Sequence, residues 1–79
     1  MIKKLADLHL NEAGIISSLN CGKNATQRLL DMGMTPGTDI TVIKKGMFFG
    51  PVGVKLRNSC VVIGHSLSSK ILVETNGKT

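Results

Sequence analysis

Val52-Gly53-Val54-Lys55-Leu56-Arg57-Asn58-Ser59-Cys60-Val61-Val62-Ile63 is the stretch that decides the fold. Val52, Val54 and Leu56 alternate with Gly53, Lys55 and Arg57, the period of a strand with one buried and one wet face. Asn58-Ser59 makes a short hairpin connection, and the apolar run Cys60–Ile63 predicts a returning strand covered on both faces. Immediately upstream, Thr38-Asp39-Ile40-Thr41-Val42-Ile43-Lys44-Lys45 is rich in β-branched residues and predicts another strand. The glycine-bracketed segment Gly46-Met47-Phe48-Phe49-Gly50-Pro51 connects the two as a loop. Three consecutive strands therefore form the centre of the chain.

Outward from this centre, Ala13–Leu19 reads as a first strand stopped by the turn residues Asn20-Cys21-Gly22. Before it, Leu5, Leu8 and Leu10 are expected to anchor an irregular N-terminal segment. Asn24-Ala25-Thr26-Gln27 has the spacing of a capping box and predicts a helix start. The stripe Ala25, Leu29 and Met32 is expected to face the core, with Leu30 and Met34 beside it, and Gly33 ends the helix. Arg28 and Asp31, at i and i+3, can pair on its outer side. Asp31, opposed to the helix dipole, is expected to find a tertiary partner. Thr35-Pro36-Gly37-Thr38 fits a type II turn. Gly64–Ser69 predicts a turn or one helical turn, and Lys70–Glu74 a last strand. The expectation is a mainly β domain of residues 1–75: a small barrel of about five strands, with one short α-helix inserted after the first strand. Closure would remove the sheet edges. Residues 76–79 form a polar C-terminal tail.

Composition narrows the function. The 79 residues carry 10 Lys+Arg against 5 Asp+Glu, 42% hydrophobic residues, two Phe, and neither Tyr nor Trp. A chain of this size forms one shell of core and no deep catalytic cleft. The acidic residues are scattered, no local context marks an activated serine, and the glycines do not end in the Lys-Ser/Thr of a phosphate loop. The chain is therefore read as not an enzyme. No apolar stretch approaches the roughly 20 residues of a membrane span, and Asp7, His9 and Glu12 interrupt any secretory signal. A cytoplasmic protein is expected. Cys21 and Cys60 are too few for a disulfide framework and read as small buried hydrophobes. As metal ligands, Cys21, Cys60 and His65, with His9, match no dense ligand motif; no cofactor is expected beyond weak Fe2+ or Zn2+ binding.

At Arg28-Leu29-Leu30-Asp31-Met32-Gly33-Met34-Thr35-Pro36-Gly37-Thr38 the sequence resembles the signature of FeoA-type ferrous iron transport accessory proteins. The resemblance extends through Ile40–Lys45, Gly50-Pro51 and Val54–Arg57, and back to Asp7-Leu8 and Gly14–Ile16. It implies an SH3-like β-barrel that works with the membrane GTPase permease FeoB, at the inner face of the cell membrane. The family shares its domain with iron-dependent repressors of the DtxR type, but no helix-turn-helix pattern occurs in these residues.

With that implied partner, the contact candidates are Arg28, Leu30, Asp31, Met34, Lys55 and Arg57, followed by Phe48 and Phe49. The two phenylalanines cannot share one strand face, so one is an exposed anchor unless both plug the barrel's open end. The basic excess also suits nucleic acid, yet base-stacking surfaces need aromatic side chains that this chain mostly lacks, so no nucleic acid is expected. Apolar edge strands make a weak homodimer an open expectation.

Overall fold

The computed structural model describes residues 1–47 and 50–75. Six strands form one antiparallel sheet: β1 (Ile2–Lys4), β2 (Ala13–Leu19), β3 (Asp39–Lys45), β4 (Val52–Lys55), β5 (Cys60–Ile63) and β6 (Ile71–Glu74), in the spatial order β1-β6-β2-β3-β4-β5. The helix α1 (Lys23–Asp31) joins β2 to β3, and a single helical turn, α2 (His65–Ser68), joins β5 to β6. A 3-10 turn over Leu5–Asp7 follows β1.

The strand not expected from the sequence is β1. Three residues with two lysines cannot display an alternation, and what holds them is pairing with β6, Ile2 opposite Glu74 and Lys4 opposite Leu72. The α-amino group of Met1 bonds the Glu74 carboxylate and donates to the Thr75 carbonyl oxygen at 2.8 Å. The helix thus follows the second strand.

Two irregularities bend the sheet. The β2–β6 register shifts between Ile16 and Ser18, and the β3–β4 register between Val42 and Lys44. Each inserts an extra residue on one strand, which increases local twist and curls the sheet on itself. The curled inner face buries Ile16, Ile40, Val42, Val52, Val54, Leu56, Ile63, Ile71 and Val73; Leu5 and Leu8 from the N-terminal segment and Leu29 and Met34 from the helix region complete the core. Leu10, expected as an anchor, is exposed.

The sheet is barrel-like but not closed, because β1 and β5 lie at opposite ends of the strand order. That explains a second correction. β5 was expected to be covered on both faces, but as an edge strand it buries only Ile63, leaving Val61 half-buried, Val62 68% exposed and Cys60 exposed. An apolar run shows that a strand can be buried; its place in the strand order decides whether it is.

Candidate functional site

The helix start departs from the capping-box expectation. Gly22 is the N-cap, and no side chain bonds the first free N–H groups. The helix is held instead at its other end. Gly33 takes φ +92° and its N–H donates to the Leu30 carbonyl oxygen at 3.0 Å, while the Met34 N–H donates to the Leu29 carbonyl oxygen at 2.9 Å. These are the two bonds of a Schellman motif, which normally brings the hydrophobe after the glycine back against the third-last helical residue. Leu29 and Met34 are accordingly both buried in the core.

This geometry corrects two expectations. Met34 is fully buried, so it cannot be a partner contact, and Met32, expected in the core stripe, is 39% exposed. The helical period assigned the core position to Met32, but the left-handed turn at Gly33 hands it to Met34. The signal was present in the sequence: a hydrophobe on each side of a helix-ending glycine, with a leucine three residues before the first.

The chain then enters the turn Thr35–Thr38, whose Gly37 has φ +93° and whose Thr38 N–H donates to the Thr35 carbonyl oxygen at 3.0 Å. A residue with a Cβ is strained there, which is why the third position of such a turn is glycine. Two bonds clamp the turn to β2: Gly37 N–H to the Ile16 carbonyl oxygen at 2.8 Å, and Ile16 N–H to the Thr38 carbonyl oxygen at 3.0 Å.

The helix end, this turn and the β4–β5 hairpin enclose a groove of about 390 Å3, lined by Met32, Gly33, Gly37, Thr38, Asp39, Leu56, Arg57, Asn58 and Ser59. Leu56, almost fully buried, is among the lining residues, and its Cδ1 lies 3.5 Å from where a Cβ on Gly33 would stand. The hairpin wall is closed by the Leu56 N–H bond to the Ser59 carbonyl oxygen at 2.7 Å. Asp39 and Arg57 supply one charge of each sign; among the described residues neither belongs to an ion pair. Asp39 also lines two neighbouring depressions of about 320 Å3 each, one of them shared with Thr41, Lys55 and Arg57.

Of the contact candidates, Lys55 and Arg57 are therefore brought together beside the groove. Arg28 and Asp31 are exposed and Leu30 is half-buried on the helix, none of them lining it. Arg28 and Asp31 do not pair: Asp31 Oδ1 accepts from Gln27 Nε2 at 2.9 Å, a partner one turn back on the same helix instead of the tertiary one expected. Phe48 and Phe49 lie outside the described residues. Sequence reasoning missed Met32, Asp39, Asn58 and Ser59 as groove residues; no local signal marks them, because only the fold brings the helix end, the start of β3 and the hairpin to one groove.

The metal candidates are not gathered. Cys21 is half-buried after β2, Cys60 is exposed on β5, and His65 is exposed at the start of α2. Cys60 thus corrects the expectation of a buried thiol. Burial pushes the Cys21 thiol up from its ordinary value, with the Lys70 charge opposing. No three His, Cys, Asp or Glu side chains come close enough to hold a metal ion among the described residues. The Glu12 carboxylate is held from two sides: its Oε1 accepts the His9 backbone N–H at 2.8 Å and its Oε2 a bond from Lys3 Nζ at 3.2 Å. The His9 bond is the larger cause holding its carboxyl below the usual range, with partial burial working against it.

A curled six-stranded sheet with one inserted helix, and a groove that carries one charge of each sign, defines a small SH3-like β module. Residues 3–75 match the model of the FeoA domain, and the chain belongs to the FeoA domain family. It is 36% identical over 63 residues to the "Putative Fe(2+) transport protein A" of Methanocaldococcus jannaschii, covering 80% of this chain and 74% of that protein. Its fold matches the crystal structure of an iron uptake regulatory protein, FeoA, with a TM-score of 0.83 at 28% identity, over 94% of this chain and 96% of the other. It also matches a zinc-complexed FeoA of Stenotrophomonas maltophilia, described as a prokaryotic SH3 domain protein, with a TM-score of 0.76 at 19% identity, over 94% and 89% of the two chains. That last likeness concerns the fold alone. No helix among the described residues is long and apolar enough to cross a membrane.

Proposed function

We propose that this chain is a noncatalytic, cytoplasmic accessory protein of ferrous iron uptake that binds a FeoB-type membrane GTPase permease through the groove between the helix end and the β4–β5 hairpin. Membership of the FeoA domain family supports the iron-uptake assignment. The observation that carries the docking site is the pair Asp39 and Arg57, both without ion-pair partners among the described residues and both lining one groove. Charges left unpaired at a concave, partly apolar surface supply register to a protein partner, and arginine is among the residue types that most often dominate binding energy. Lys55 extends the positive side. Met32 offers an adaptable apolar contact at the rim.

The test is titration of the protein against the permease's isolated GTPase domain and against the intact permease in nanodiscs. Saturable binding to either, weakened by Arg57→Ala with the fold unchanged, is the expected result. Absence of binding to both removes the reading.

A further inference from the structure

The positive charge of this chain is unevenly spread. Residues 1–39 hold four basic and four acidic side chains, whereas residues 40–79 hold six basic and one acidic, so the whole +5 arises in the second half. From Ile40 to Val73 there is no acidic residue at all.

Part of this charge is concentrated where β3 ends. Lys44 and Lys45 close the strand. The register shift between Val42 and Lys44 leaves Ile43 without a partner on β4 and exposed. After Gly46, whose N–H donates to the Pro51 carbonyl oxygen at 2.8 Å, Met47 stands 78% exposed. The N-terminal segment is tied to the same end. Lys45 Nζ donates to the Leu8 carbonyl oxygen at 2.6 Å and to that of Ala6 at 3.2 Å, and the Asn11 N–H donates to the Val42 carbonyl oxygen at 2.6 Å. These bonds place exposed Leu10 beside the end of β3. The acids of this region are Asp7 and Glu12, and Glu12 is already held by Lys3 and His9.

Exposed large apolar side chains interleaved with lysines suit one kind of surface above others. Hydrocarbon tips enter the boundary between headgroups and acyl chains while ammonium groups stay at the level of anionic headgroups. We propose that the β3 end, formed by Ile43, Lys44, Lys45 and Met47 with Leu10 beside it, docks on an anionic lipid bilayer. The occupant is chosen by charge complementarity: a surface whose Lys44 and Lys45 have no ion-pair partner among the described residues, with protruding aliphatic groups beside them, matches phosphatidylglycerol headgroups over a hydrocarbon layer. A protein groove would have to bury those lysines. Each lysine near such a surface multiplies the partition coefficient about fivefold, and insertion of one methionine side chain adds on the order of tenfold.

Flotation of the full chain with protein-free vesicles tests this, comparing equimolar phosphatidylglycerol and phosphatidylcholine with phosphatidylcholine alone. The permease is absent, so the outcome is separate from the permease reading. Expected are salt-sensitive binding to the anionic vesicles only, a loss of about fivefold for Lys44→Gln, and a loss on the order of tenfold for Met47→Ser. Lys70→Gln is the control: the Lys70 carbonyl oxygen accepts from Asn20 beyond the far end of β2 from β3's last residues, so equal loss there would reveal unspecific charge attraction and overturn the proposal. No flotation, equal flotation on neutral vesicles, or binding to a single-stranded oligonucleotide in place of vesicles also overturns it.

Discussion

The Met34 N–H donates to the Leu29 carbonyl oxygen at 2.9 Å across Gly33, and this one bond decides which methionine of the helix signature lies in the core. Within α1 only Leu29 is fully buried, so the helix is fastened to the sheet chiefly at its C-terminal end. The groove wall is made by the same turn.

Met34→Ala therefore costs about 2–5 kcal/mol, the range for truncating a fully buried methionine. Met32→Ala, at a partly exposed site, costs less than about 1 kcal/mol. Urea unfolding of the two variants checks this; equal losses contradict the assignment.

Gly33→Ala loses about 1–2 kcal/mol, because a Cβ at φ +92° is strained in the left-handed region. The nearest atom to such a Cβ, Leu56 Cδ1 at 3.5 Å, is in ordinary contact, so the loss comes from backbone conformation and not from a clash. Gly33→Asn, which tolerates that conformation better, retains more stability in the same measurement.

Arg57→Ala weakens permease binding by about fivefold or more while leaving the thermal midpoint unchanged, since Arg57 is exposed and belongs to no ion pair among the described residues. Arg28→Ala, off the groove, leaves binding unchanged. Calorimetric titration of both variants separates groove binding from general attraction to positive charge.

The Glu12 carboxyl has a lower pKa folded than unfolded, so its ionised form stabilises the fold at and above the ordinary glutamate range. As pH falls through the folded value the proton binds and that contribution is lost. Glu12→Gln removes it, so the variant's stability falls less steeply than the wild type's on acidification below that range. Denaturant midpoints measured down the acid limb give the comparison.

Cys60, exposed, reacts with iodoacetamide at least about tenfold faster than Cys21, whose thiol is pushed up by burial and so supplies less thiolate at neutral pH. Mass spectrometry of partially alkylated protein gives the ratio.

The hairpins, the helix and the type II turn were legible because each depends on neighbours in sequence: alternation over Val52–Arg57, β-branched residues over Thr38–Lys45, and Pro36-Gly37 at the turn. What escaped depends on distant parts of the chain. Ile2–Lys4 becomes a strand because Leu72–Glu74 lies beside it, and the apolar run Cys60–Ile63 is left half-open because, among the described residues, no strand other than β4 pairs with it. For the site, Lys55 and Arg57 were readable from the alternation that begins at Val52, although the strand ends at Lys55 and Arg57 lies in the connection that follows it. Asp39 and Met32 were not, since only the fold brings a strand start and a helix end to one groove. Met34 was misplaced because the helical period does not continue through a left-handed residue.

The pairing of Ile2 with Glu74 brings the first and last strands side by side, and Met1 bonds Thr75. Entry and exit thus share one corner of the sheet. A host protein can receive such a unit at a single surface loop without either body unfolding to accommodate the other. By the same geometry, a short tether between Thr75 and Met1 with a new opening at the exposed Asn58-Ser59 turn yields a circular permutant in which all five strand pairings are retained.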